Sequence, residues 1–242
     1  MKTGNPVRDI VEPFLHRVDA AIGAGYSAVL YGSVARGDQV AELSDVNLLL
    51  ILERLDFATL DALEPSFSAW VENRIAPPLL MTLSEWDRAS DVFPVEIADM
   101  KAAYLVLRGS DPVASLRVSR ADLRRALERE YRGKLTRLRQ GFVPSKRRPE
   151  DLTSLARHSI ASVTTLYRGL LTLAGRKTPA DAGSVLGAAA ELVGFSGTAI
   201  LSIAANREDP RWTCRREDLE GYMQAVEQTV SYVDELQLGD QE

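Results

Sequence analysis

Apolar residues recur along the chain with two different periods. Val7, Ile10, Val11, Phe14, Leu15 and Val18 repeat at helical spacing to about Gly23, behind Asn5-Pro6, a pair suited to an N-cap and a first turn. Ala28–Tyr31 and Val46–Leu52 are short continuous apolar runs that read as buried strands, the first ended by Gly32. A helical stretch follows over about Asp56–Asn73. Pro77-Pro78 opens a short strand at Leu79–Leu83, and Ser84 is placed to cap a short helix containing Trp86. Phe93–Ala98 and Tyr104–Leu107 look extended, and Gly109-Ser110-Asp111-Pro112 is a strong turn.

Beyond that turn the pattern is helical almost throughout. Ser119 is a plausible cap for a stripe of Leu123, Leu127, Tyr131, Leu135 and Leu138 that ends before Gly141 and Pro144. Further helices are expected over Pro149–Leu173, Asp181–Leu192, Gly197–Ala205 and Arg216–Leu236. The expected fold is α+β: a domain with a small mixed sheet over residues 1–115, then an antiparallel helical bundle over residues 116–242.

Composition narrows the chemistry more than the fold. The 242 residues are 45% hydrophobic and 26% charged, as in an ordinary globular protein. One cysteine, Cys214, excludes an internal disulfide. With only His16 and His158 beside it, a zinc site of thiolates and imidazoles is excluded as well, so any metal would be a hard ion held by oxygen. The longest aliphatic run, Leu48–Leu52, cannot span a bilayer and no apolar leader follows Met1, so a cytoplasmic protein with no membrane partner is expected. The net charge of −5 argues against a general nucleic-acid binder. Yet residues 117–148 carry twelve basic and three acidic side chains, a local +9. These cations are spread around the predicted helix, and pairs such as Arg124 and Glu128 fit a solvated face better than a binding groove. Only Tyr131 and Phe142 could stack bases there.

The segment Val29-Leu30-Tyr31-Gly32-Ser33-Val34-Ala35-Arg36-Gly37, followed by Ser44-Asp45-Val46-Asn47, carries the chemistry. A strand ending in Gly-Ser and opening a helix exposes backbone N–H groups and a hydroxyl, a combination that holds phosphate. Gly32 allows close approach, and Arg36 is placed for a phosphate contact. In the next strand, residues two apart share a face, so Asp45 and Asn47 point toward the bend while Val46 and Leu48 point to the core.

Gly-Ser, eleven intervening residues and then Asp-Val-Asn resembles the signature of the DNA polymerase beta nucleotidyltransferase superfamily, in particular its minimal and aminoglycoside-modifying members. The resemblance covers residues 28–50, with a weaker continuation over 93–108. It implies a nucleoside triphosphate as substrate, Mg²⁺ as cofactor, and transfer of a nucleoside monophosphate to a hydroxyl of a small molecule or protein. It further implies that Gly32, Ser33 and Arg36 hold the triphosphate, that Asp45 and position 47 hold the metal, and that a third carboxylate comes from a later strand. Glu96, between Val95 and Ile97, fits that third role. Asp91 and Asp99 compete for it, but Glu96 is the only acid inside the expected strand Phe93–Ile97. A cation from the helical domain could reach the triphosphate, and Lys134 is the candidate. A homo-oligomer is compatible with this reading.

The chain departs from that signature at Asn47, where the superfamily has its second acid. An asparagine offers a neutral oxygen and no charge to offset the metal. Two functions follow: an enzyme weakened by Asn47 that works through Asp45 and Glu96, or a non-catalytic module of the same fold that binds a nucleotide or a protein partner.

Overall fold

The computed structural model describes residues 7–37, 46–72, 75–145 and 148–237. It is an α+β protein with one small mixed sheet. Packing divides the chain into two units, Met1–Val92 with Met100–Arg117, and Phe93–Asp99 with Val118–Glu242.

The first unit is built on a four-stranded sheet of order β3-β2-β1-β4: β1 (Tyr26–Tyr31), β2 (Asn47–Leu52), β3 (Leu79–Thr82) and β4 (Tyr104–Arg108). β1 runs antiparallel to both β2 and β4, and β2 runs parallel to β3. Ala28 and Leu30 of β1 and Leu48, Leu50 and Leu52 of β2 share one face, as a period of two requires. Phe14, Leu15 and Val18 of α1 (Glu12–Ile22) and Leu63 and Trp70 of α3 (Phe57–Val71) pack on it. The Phe14 ring packs against Trp70 at a tilt of 58°, with ring centroids 4.5 Å apart.

Polar bonds tie the helices to the strands. The Tyr26 hydroxyl donates to Asp19 (2.7 Å), and Arg108 of β4 donates to Asp19 (3.2 Å) and Glu12 (2.9 Å). Burial and the Asp19 carboxylate both push the Tyr26 phenol up. After β4 the chain turns at Gly109. Asp111 then accepts from the Val113 and Ala114 N–H groups, and the Trp86 indole donates to the Pro112 carbonyl (2.8 Å).

Three local expectations need correction. Phe93–Ala98 is not extended but opens α5 (Pro94–Ala102). Pro94 occupies the first turn, where its fixed φ and missing N–H cost nothing, and Val95 and Ala98 are buried at helical spacing. A six-residue segment with apolar Phe93, Val95, Ile97 and Ala98 is read equally well either way, and Pro94 decides it. The one-turn helix α4 (Leu83–Trp86) is capped by Thr82, not Ser84: the Thr82 hydroxyl accepts from the Glu85 N–H and Glu85 accepts from the Thr82 N–H, a complete capping box. At the N-terminus the first described turn, Val7–Val11, is a π turn. The Asn5-Pro6 start lies outside the described residues.

The second unit is helical: α6 (Arg120–Phe142), α7 (Pro149–Leu173), α8 (Ala182–Val193), α9 (Thr198–Ala205) and α10 (Arg216–Glu235). Ser119 caps α6 by accepting from the Asp122 N–H. Leu127 of α6 lies over Gly169 of α7 and Leu155 of α7 lies over Gly141 of α6, so these two long helices run antiparallel. Three tyrosines are fully buried here. The Tyr167 hydroxyl meets Thr229 (3.0 Å) and Tyr222 donates to Ser159 (3.1 Å), whereas the Tyr131 hydroxyl has no hydrogen-bond partner among the described residues. No described helix is long and apolar enough to cross a membrane.

Several cations of the basic stretch are paired within this unit. Arg124 donates to the Asp234 and Leu236 carbonyls, where a cation meets the negative end of α10, and lies 3.8 Å from Glu128. Arg132 bridges Glu128 and Asp234, Arg139 pairs with Glu227, and Arg125 pairs with Asp122.

Candidate functional site

The bend after β1 is shaped by one residue. Gly32 has φ 82° and ψ −150°, a backbone region open essentially to glycine alone. A Cβ built there would also fall 2.8 Å from the Asn47 side-chain nitrogen. The chain then makes a single helical turn, α2 (Ser33–Arg36), stopped by Gly37 in the left-handed conformation. One turn aligns few peptide dipoles, so α2 offers no appreciable helix macrodipole.

Asn47 reaches the bend through strand pairing. The antiparallel register sets Tyr26 against Leu52 and, at the other end, Tyr31 against Asn47, so the first residue of β2 lies beside the last residue before Gly32. Side-chain alternation buries Val46 and Leu48 and leaves Asn47 half-buried against the bend. Gly32, Ser33, Arg36 and Asn47 are thus grouped on consecutive segments of the first unit. Asp45 and Ser44 lie outside the described residues.

The other expected site residues belong to other elements. Glu96 is exposed on the first turn of α5, in the second unit, so the strand that argued for it as third carboxylate does not exist. Its competitors fare no better as strand residues: Asp91 is exposed in a turn and Asp99 is buried on α5. Among the described residues no three His, Cys, Asp or Glu side chains are grouped as a metal would require. Of the described residues, Asn47 offers Mg²⁺ a neutral carbonyl oxygen and Ser33 a hydroxyl, and the expected carboxylate, Asp45, lies outside the described residues.

Lys134 lies on α6 of the second unit, half-buried, with no ion pair or hydrogen bond among the described residues. Burial, and secondarily the charge of Arg137, pull its ammonium below the usual lysine range, with Glu130 opposing. An unpaired, partly desolvated cation contributes nothing to folding that its aliphatic stem would not. Lys134→Met should accordingly leave stability unchanged or raise it by up to about 0.5 kcal/mol in thermal unfolding. The same variant should weaken nucleoside triphosphate binding only if Lys134 touches the phosphates; unchanged affinity removes it from the site.

A second concavity in the first unit escaped the sequence reading. A cleft of about 810 Å³ opens at the end of the sheet opposite to Gly32, where β1 begins and β2 and β4 end. Ser27, a polar residue in the otherwise apolar interior of β1, is the one local signal that pointed there.

No protein-family model matches the chain, and a search of curated proteins finds no match.

Proposed function

We propose that the first unit is a nucleotidyltransferase-like module that binds a nucleoside triphosphate at the Gly32 bend, with transfer of the nucleoside monophosphate to an acceptor hydroxyl slow or lost in the natural chain. One observation carries this reading: the β1–β2 register brings position 47 to the bend, and the group it brings is an amide. The Gly-Ser spacing and the mixed sheet followed by helices lend it further support.

Each side chain then has a definite task. Gly32, with no Cβ, lets a phosphate approach the main chain. The Ser33 hydroxyl donates to a phosphate oxygen, and Arg36 offsets part of its charge. The Asn47 amide nitrogen can donate to the same phosphates, which an aspartate at this position could not do. Magnesium, when bound, would offset the charge of the triphosphate; Asn47 would give it one neutral oxygen and Asp45, two residues earlier in the sequence, a carboxylate. Binding survives such a substitution better than catalysis, because only the transition state builds up the charge that the missing carboxylate would balance.

The test is pyrophosphate release from each of the four common nucleoside triphosphates with Mg²⁺, alongside direct binding. The natural chain should bind triphosphate with little turnover. Asn47→Asp should raise turnover by about tenfold or more, the scale on which metal-site groups act. Gly32→Ala should abolish binding. If the natural chain turns over briskly, Asp45→Ala stops it and Asn47→Asp gives no gain, the protein is a working enzyme that uses its asparagine. If no triphosphate binds, the module reading fails.

A further inference from the structure

The cleft at the far end of the sheet lies wholly within the first unit and is separated from the Gly32 bend by the length of β1, about 17 Å at the rise of an extended strand. Its volume of about 810 Å³ falls in the range of small-molecule sites. Its floor is built rather than incidental. Gly109 packs so closely on β1 that a Cβ there would lie 2.4 Å from the Tyr26 carbonyl oxygen. The Ser27 side chain is held at 9% exposure on the cleft wall. The Ser27 hydroxyl has one contact among the described residues, Ser110 Oγ at 3.4 Å, long for a bond between hydroxyls, so it retains capacity for a stronger partner.

The charged groups around the cleft form no ion pairs among the described residues, although the Glu85 carboxylate acts on Arg88 from nearby. Arg88 donates Nε to the Ser84 carbonyl (3.1 Å) and Nη2 to the Ser84 hydroxyl (3.0 Å). Two bonds to one residue fix the guanidinium plane, and no carboxylate among the described residues pairs with it. Asp87 and Glu53, on the same wall, likewise form no ion pair there. An oriented cation and two free carboxylates beside a nearly buried hydroxyl match neither a simple anion, which the acids repel, nor a simple cation, which leaves Arg88 unmatched. They match a ligand bearing both charges. The apolar part of the wall, Ile51 and Leu83, suits an uncharged side chain.

We propose that this cleft is a second small-molecule site, which takes an α-amino acid with an uncharged side chain. The ligand carboxylate pairs with Arg88, its ammonium is met by Asp87 and Glu53, and the Ser27 and Ser110 hydroxyls complete its hydrogen bonds. The site goes beyond the nucleotide reading and does not depend on it.

The experiment is calorimetric titration of the full chain with L-leucine, L-valine and L-serine, with acetate as the anion-only probe and butylamine as the cation-only probe. At least one of the amino acids should bind, and neither single-charge probe should match it. Arg88→Gln and Asp87→Asn should each weaken binding about tenfold or more, the usual cost of a lost charge-assisted bond. Ser110→Trp, which fills the cleft without changing its charge, should abolish binding. All three positions are exposed, so melting temperatures should stay at that of the natural chain, and triphosphate affinity should be unmoved. Absence of binding by all three amino acids overturns the proposal. So does acetate or butylamine binding as tightly as they do, or full binding retained by Ser110→Trp.

Discussion

Raising the pH beyond about 10 should unfold the helical unit in a single step in which phenolate absorbance and loss of helical signal rise together. Tyr131, Tyr167 and Tyr222 are buried in its core, and burial pushes all three phenols well above their ordinary range. Hydrogen bonds to Thr229 and Ser159 oppose the shift for Tyr167 and Tyr222 without cancelling it. The sign follows from which state holds the protons. Below pH 10 both states are protonated and the full stability is present. Above it the unfolded chain releases protons that the folded chain keeps, so stability falls as pH rises toward the folded-state values. Three such groups remove about 4 kcal/mol per pH unit, and a typical stability of roughly 5–15 kcal/mol is exhausted within about one to four units. Tyr131→Phe should shift the midpoint to higher pH. It should cost little at neutral pH, because the hydroxyl it deletes is buried without a partner. Buried phenols that titrate near pH 10 while the helices remain intact would refute this account.

Gly109→Ala should be among the most damaging single-methyl changes in the first unit, costing about 3 kcal/mol or more. The positive φ of 69° alone disfavours an L-residue by about 1–2 kcal/mol. The larger contribution is steric. The added Cβ would sit 2.4 Å from the Tyr26 carbonyl oxygen, 2.7 Å from Ser27 Oγ and 2.9 Å from Ser27 Cα. Two of these are main-chain atoms of a central strand, which cannot rotate away as a side chain would, so relief must come from separating β4 from β1. Denaturant unfolding followed by tryptophan fluorescence in a Trp212→Phe background reads this unit, since Trp70 and Trp86 are buried in it. Ser110→Ala next door should cost less than about 0.5 kcal/mol, as an exposed residue whose one hydroxyl contact is long. Equal costs for the two variants would refute the steric account.

Periodicity made most of the scaffold readable. The five long or medium helices after residue 119 follow from repeats of three to four, β1 and β2 from short continuous apolar runs bounded by turn residues, and Pro149–Leu173 falls on its predicted bounds. The misreading at Phe93–Ala98 came from a run too short for its period to show, where one proline outweighs four apolar residues. The same error moved Glu96 onto a strand and made it a third carboxylate. The bend was legible because its parts are close in sequence: Gly32, Ser33 and Asn47 are joined by one strand pairing. The cleft was not, because Ser27, Glu53, Arg88 and Ser110 come from four separate stretches of chain that only the folded sheet assembles. The charges of α6 were countable but not their neutralisation, because Glu227 and Asp234 lie about a hundred residues downstream.

The pairing of Tyr31 with Asn47 is carried by main-chain atoms, so the ladder delivers whatever side chain is encoded at position 47 to the same spot beside Gly32. Asparagine and aspartate codons differ by one nucleotide. On the proposed nucleotide reading, a single base change would therefore exchange the amide beside Gly32 for a carboxylate with the strand pairing left in place.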